Sequence, residues 1–117
     1  MDNKNEVQNL IKEWQQSLGL EDWNIDFKFV DFDRTDYWQS GDVEVDIRSK
    51  KAMILISNNP KFKEEQIVVH ELVHLLLWEY DHYCESLIAD NKKGHYFDLL
   101  EGAAAKFTKI LLKQKCS

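Results

Sequence analysis

The feature that most constrains the fold is an apolar stretch at residues 67–78 that encloses three ionisable side chains. Its apolar members are Ile67, Val68, Val69, Leu72, Val73, Leu75, Leu76, Leu77 and Trp78. On a helical wheel of about 3.6 residues per turn they cover nearly the whole circumference, which is typical of a central, buried helix. His70, Glu71 and His74 lie inside this stretch, and burying them costs several kcal/mol unless they are paired or coordinated.

These three residues form an HExxH motif at residues 70–74. Two histidines four positions apart lie about 40° from each other around a helix axis, so both imidazoles can reach one metal ion. Glu71, about 100° from His70, points toward the same side. The pattern predicts His70 and His74 as Zn²⁺ ligands and Glu71 as the catalytic general base beside a metal-activated water.

A pair of core histidines bonded to the backbone, with Glu71 as a paired charge, is the alternative interpretation. It requires separate partners for three clustered polar groups. The metal interpretation satisfies the histidines with a single ion and is therefore favoured.

The length of 117 residues suffices for one hydrophobic core, and we predict a single domain over residues 1–117. A hydrophobic content of 44% with 12% aromatic residues indicates a folded globule. The net charge of −6 argues against nucleic acid as a partner, because nonspecific binding relies on Lys and Arg to neutralise phosphates.

No membrane segment is expected, since every apolar run is shorter than the roughly 18 residues that a spanning helix needs. The polar, acidic N-terminus does not resemble a signal peptide, so a cytoplasmic location is expected. Cys84 and Cys116 lack CxxC spacing and predict neither a disulfide framework nor a zinc knuckle.

The periodicity predicts an α+β fold with an N-terminal helix, a small three-stranded, mostly antiparallel sheet, a central HExxH helix and a C-terminal helix. The first helix is expected at residues 3–18, the strands at 23–32, 37–47 and 52–57, and the last helix at 95–113. The second and third strands are expected to form a hairpin. The HExxH helix is expected to begin at Pro60, capped by Asn59, and to end near Tyr80, with a short helix at 83–88 after it.

Glu101 is the predicted third metal ligand, because a hydrolytic zinc site takes three protein ligands and keeps one position open. It shares a helix face with apolar residues, where a carboxylate needs a partner. The small residues at 102–105 would let a second helix approach closely. A carboxylate paired with Lys106 is the alternative.

His95 is the rival for the third ligand, 21 residues after His74. It could instead donate a hydrogen bond to a developing oxyanion, as could Tyr80, Tyr83 or Tyr96. His82, twelve residues after His70, would lie about 18 Å away along a continuous helix and could contribute only if the chain turned back. The downstream histidine of the metzincin pattern is absent.

With a helix, a small sheet, HExxH and a later helix containing ExxA at residues 101–104, the chain resembles the zincin metallopeptidases. It looks most like compact gluzincin-type members of bacteria, phages and mobile elements, including the ImmA/IrrE type. The resemblance covers about residues 52–112. It implies that His70, His74 and Glu101 bind zinc, that Glu71 is the general base, and that substrate lies along a sheet edge.

The chain departs from ImmA-like proteins in having no recognisable helix-turn-helix or sensor domain, so repressor cleavage is not implied. It also resembles the SprT-like group, which uses a third histidine, here His95. The missing cysteine-rich ribbon and the acidic charge make that resemblance weaker.

The function expected from the sequence is therefore that of a zinc-dependent metallopeptidase acting on a protein or peptide. If the strand at residues 52–57 lies at a sheet edge, it could align the substrate by strand addition. The alternative is a zincin-derived module that holds a metal and binds a partner without turnover. Glu71 favours the enzyme, because metal binding alone does not require it.

Overall fold

A computed structural model describes residues 3–32 and 40–115. The helices are α1 (Asn3–Leu18), α2 (Glu64–Leu76), α3 (Trp78–Ser86) and α4 (Lys93–Lys115), and a 3₁₀ turn at Asp90–Lys92 precedes α4. The strands are β1 (Asn24–Val30), β2 (Gly41–Asp46) and β3 (Lys51–Ser57). The predicted α+β class, with one helix before the sheet and one at the C-terminal end, is confirmed.

The sheet has the order β1-β3-β2. The predicted hairpin is confirmed, since β2 and β3 pair antiparallel with Val43 opposite Ile54. The β1–β3 pairing is parallel, with Phe27 opposite Ile54, so the sheet is mixed rather than mostly antiparallel. Alternation of apolar residues reports which face of a strand is buried but not the direction of its neighbour, which is why the sequence did not distinguish the two arrangements.

Strand β3 lies in the centre of the sheet and bonds to a strand on each side. Its sequence is apolar on both faces, as is typical of a central strand. Alignment of a substrate along β3 required an edge position, so that expectation is wrong. Among the described residues, the sheet edge next to α2 is β2.

The core forms where α2 packs against one face of the sheet, with α1 and α4 on its other sides. The most deeply buried side chains are those of Val7, Ile54, Ile56, Val68, Val69, Leu72 and Ala104. Helix α2 is thus the central, buried helix that its sequence predicts. Among the described residues, no helix combines the length and apolar character needed to cross a membrane.

The ends of α2 differ from the prediction. The helix begins at Glu64 rather than Pro60, with Lys63 at the N-cap. The Asn59 backbone N–H donates to Ser57 Oγ at 3.0 Å, and this places Asn59 in a turn before the helix. At the other end the helix stops at Leu76, and α3 takes the place of the expected extension and of the short helix at 83–88.

The predicted end of α1 is confirmed at Gly19, which has φ +71°, a conformation that glycine adopts without strain. The backbone N–H of Leu20 then donates to the Gln15 carbonyl at 2.8 Å, a bond that closes the helix end. The remaining strand limits fall within a few residues of the predicted ones. Residues 33–39, which include the predicted start of the second strand, lie outside the described residues.

Candidate metal centre

The three predicted ligands come together between α2 and α4. His70 and His74 lie one turn apart on α2, and Glu101 faces them from α4. The Nε2 atoms of His70 and His74 lie 2.9 Å and 3.2 Å from Glu101 Oε1. One ligand atom from each of the three residues lies within 4.8 Å of the others.

The charge of the Glu101 carboxylate determines which atoms of this cluster carry protons. Hydrogen bonds from His70 and then His74 hold the pKa of Glu101 well below its usual value, so this side chain is ionised and only accepts. Each Nε2 therefore donates to Oε1 when no metal is bound. Burial lowers the pKa of His74, but the hydrogen bond to Glu101 and the nearby carboxylates outweigh burial and raise it overall.

The donor set suits zinc. A tetrahedral zinc ion with ligands about 2.0–2.1 Å away has ligand atoms about 3.3 Å apart. The separations of 2.9 Å and 3.2 Å are close to that value, and all three ligand atoms lie within 4.8 Å of one another, so the cluster is compact enough to hold one ion. Two imidazoles with one carboxylate form a common ligand set of catalytic zinc sites.

Glu71 lies beside this cluster in a different environment. Glu71 as a whole residue is only 6% exposed, whereas the side chain of Glu101 is 62% exposed. Burial raises the pKa of Glu71 to about 7, against the opposing charges of His70 and His74. A carboxyl group with a pKa near neutrality suits proton transfer at neutral pH.

The backbone of β2 approaches Glu71 at Gly41. A Cβ atom placed on Gly41 would lie 3.2 Å from Glu71 Oε2 and 2.6 Å from Ile67 Cγ2. The absence of a side chain therefore lets the edge strand lie directly against the polar face of α2. This close approach helps to bury the Glu71 carboxylate.

A pocket of about 930 Å³ opens beside the cluster. His70, Glu71 and Glu101 contribute to its wall, together with Ser40 and Gly41 at the start of β2. Its remaining lining residues are Phe62, Gln66, Ile67, Phe97, Asp98, Leu100, Ala105, Thr108 and Lys109. Its wall thus combines apolar side chains such as Phe62 and Phe97 with several polar and charged ones.

The other candidate ligands lie elsewhere. The exposed residue His95 does not line this pocket, although it lies on the same helix as Glu101. The ring of His82 stacks on Trp78, and its Nδ1 lies 2.9 Å from the Trp78 carbonyl. Among the described residues, the structure thus brings Glu101 to the two histidines, and neither His82 nor His95 joins them.

The expected oxyanion donors also lie away from the pocket. Tyr80 and Tyr83 are 71% and 67% exposed on α3. The Tyr96 hydroxyl donates to Asp81 Oδ1 at 2.5 Å. Among the described lining residues, the neutral or cationic side chains that could donate a hydrogen bond include Ser40, Gln66 and Lys109, none of which the sequence analysis identified.

Sequence reasoning also missed Gly41 and Phe62. Gly41 begins a strand with alternating apolar residues, and a glycine at that place is a signal for close backbone approach. Phe62 is half exposed in the segment before α2, and nothing local marks it as a pocket residue.

Comparison of the chain with protein-family models, with characterised proteins and with solved structures gave no significant match. The case for a function therefore rests on the residues and geometry of this site.

Proposed function

We propose that this protein is a zinc-dependent metallopeptidase. The observation that carries the proposal is the convergence of His70, His74 and Glu101 beside the buried carboxylate of Glu71. A metal-binding role alone would account for the three ligand residues but not for Glu71. The resemblance to zincins supports the same assignment.

His70 and His74 would hold Zn²⁺ through Nε2, and Glu101 would hold it through a carboxylate oxygen. When bound, Zn²⁺ acts as a Lewis acid that lowers the pKa of water and polarises a carbonyl oxygen. Glu101 must exchange its hydrogen bonds to the histidines for this role, and the histidines must lose their Nε2 protons.

Glu71 would act as the general base. Burial alone favours its protonated form, and a nearby dication favours the carboxylate. The carboxylate accepts a proton as water attacks the scissile carbonyl and passes that proton to the leaving amine. A substrate peptide would place its side chains against the apolar walls at Phe62, Ile67 and Phe97.

The test is zinc content and peptide hydrolysis of purified protein carrying Glu71→Gln. We expect zinc to be retained and turnover to fall by about 10²–10⁴-fold, the usual contribution of a general base. Glu44→Gln, an exposed change on β2, is the matched control and should leave both unchanged. Wild-type turnover in the Glu71→Gln variant would rule out the mechanism.

The third ligand is tested by Glu101→Gln against His95→Ala. Loss of a direct ligand should weaken zinc binding more than the roughly 10–100-fold seen when groups behind the ligands are removed. His95→Ala should bind zinc as the wild type does. The reverse result would transfer the ligand role to His95, as in the SprT-like alternative.

A metal-binding interaction module without turnover is the second candidate. It is favoured by the placement of His95 and the three tyrosines, since none of these expected oxyanion donors lines the described pocket. Zinc binding together with the absence of hydrolysis across a broad peptide library would support this alternative.

A further inference from the structure

Asp81 is a buried carboxylate whose negative charge acts on His74 and raises the pKa of that imidazole. It lies on α3, seven residues after His74, and is only 8% exposed. A carboxylate in such a place needs hydrogen-bond donors. The Tyr96 hydroxyl, from α4, lies 2.5 Å from Asp81 Oδ1 and 3.2 Å from the Asp81 carbonyl oxygen. A polar pair thus joins α3 to α4.

This contact anchors the half of α4 that carries the third ligand. The buried residues of α4 are Ala104 and Thr108, and both follow Glu101. From Lys93 to Glu101 the helix has no fully buried side chain. The Tyr96–Asp81 hydrogen bond therefore ties down a segment that core packing holds only weakly.

The placement of Glu101 depends on that segment. Its carboxylate lies 2.9 Å and 3.2 Å from the two histidine Nε2 atoms, and these contacts require that the backbone of α4 hold Glu101 opposite α2. Tyr96 precedes Glu101 by five residues, about 7.5 Å along the helix axis. A shift of the helix at Tyr96 would move the carboxylate relative to both imidazoles.

We propose that Asp81 and Tyr96 are a positioning pair that holds Glu101 at the metal centre and so determines the affinity for the metal. The inference rests on the metal site of the proposed function but not on turnover. Burial and the hydrogen bond to Asp81 raise the pKa of Tyr96, which keeps its hydroxyl protonated as a donor.

The test measures Zn²⁺ affinity by chelator competition in the full chain. Tyr96→Phe removes the hydroxyl and keeps the ring, and we expect it to weaken binding by about 10–100-fold. Tyr83→Phe is the matched control, because its hydroxyl is on an exposed side chain of α3 and its loss should leave the affinity unchanged.

A double-mutant cycle separates positioning from general destabilisation. If Tyr96 acts through Glu101, Tyr96→Phe should have little further effect on zinc affinity in a Glu101→Gln background. The visible spectrum of Co²⁺-loaded protein should change in the same direction for Tyr96→Phe and Glu101→Gln, because the first displaces the Glu101 carboxylate from the ion and the second replaces it. A purely structural role predicts an unchanged spectrum.

Asp81→Asn provides a second route should Tyr96→Phe fold poorly. The amide oxygen still accepts from Tyr96, so Asp81→Asn should retain more zinc affinity than Asp81→Ala. The inference would be overturned if Tyr96→Phe and Tyr83→Phe bound zinc with equal affinity. It would also be overturned if Tyr96→Phe weakened zinc binding as much in the Glu101→Gln background as in the wild type. Absence of zinc binding in the wild type would overturn the metal site itself, whereas absence of hydrolysis would affect only the enzymatic proposal.

Discussion

At the scale of single residues, the site contrasts two carboxylates. Glu101 is exposed and ionised, and its Oε1 atom accepts hydrogen bonds from two imidazoles. Glu71 is buried, and its pKa is raised to about 7. Solvent exposure and hydrogen bonding thus distinguish the two glutamates, and this difference supports the proposed roles of Glu101 as a ligand and of Glu71 as a base.

Gly41 provides a prediction at this scale. In Gly41→Ala the new methyl group would overlap Ile67 Cγ2, so α2 or β2 must shift, and such overpacking costs about 1–3 kcal/mol. The same shift would displace Glu71 and lower activity. Urea unfolding and peptide hydrolysis measure the two effects.

Gly102→Ala is the matched control for that change. Nothing lies within 4 Å of a Cβ at Gly102, which is in the interior of α4. Alanine should therefore stabilise the helix by up to about 1 kcal/mol. If Gly41→Ala were equally stabilising, the close contact between β2 and α2 would not exist.

At the scale of elements, Glu65 links three helices at the start of α2. Trp14 Nε1 of α1 donates to Glu65 Oε2 at 2.8 Å, and Lys115 of α4 forms an ion pair with the same oxygen. Lys115 also reaches Glu13 Oε1 at 3.0 Å. The N-terminal and C-terminal helices are therefore tied together through the helix that carries the histidines.

The stability that Glu65 contributes through its contacts with Trp14 and Lys115 depends on pH. Burial raises its pKa, but hydrogen bonds from Lys115 and Trp14 outweigh burial and bring it below the ordinary value of 4.5. A lowered pKa contributes stability that is present above pH 4.5 and lost as the pH falls through the pKa of the folded state. Urea midpoints of wild type and Glu65→Gln should therefore differ at pH 7 and converge as the pH falls below 4.5.

Glu13→Gln is the control for this pH effect. Glu13 shares Lys115 but is largely exposed, so solvent screens its ion pair and we expect a smaller change. A gap between wild type and Glu65→Gln that stays constant from pH 7 to pH 3 would contradict the assignment.

At the scale of the whole molecule, a metal ion would connect parts of the chain that are distant in sequence. His70 and Glu101 are separated by 31 positions, and α2 and α4 meet through few fully buried side chains of α4. The hydrophobic core is formed by α1, α2, the sheet and Ala104 of α4, and its packing does not depend on a metal ion. We therefore expect the protein to remain folded without metal and to gain stability with it.

Chelation tests this expectation. Zinc at about 1,000 times its dissociation constant should stabilise the fold by about 4 kcal/mol, which raises the midpoint of thermal unfolding relative to protein in EDTA. Circular dichroism should show native helix content in both states. Zinc should raise the midpoint of thermal unfolding less in Glu101→Gln than in the wild type. An equal rise in that variant would show that zinc stabilises the protein at another site.

The sequence by itself determined most of the helices and strands and the three site residues that lie on α2. The nearly continuous apolar circumference within residues 67–78 predicted that α2 is central, because apolar side chains on most sides of a helix favour burial on most sides. Its apolar residues from Ile67 to Leu75 are buried, whereas Leu76 at the end of the helix is 48% exposed. The spacing of His70, Glu71 and His74 placed them on one side of that helix by helical geometry alone. Strand alternation and Gly19 indicated the remaining elements and the end of α1.

Only the tertiary structure decided how these elements meet. It made β1 and β3 parallel, placed β3 at the centre of the sheet and brought Gly41 against Glu71. It also selected Glu101 over His95 as the neighbour of the two histidines. Periodicity reports that a face is buried but not what covers it, and contacts between distant parts of the chain arise only when those faces pack together.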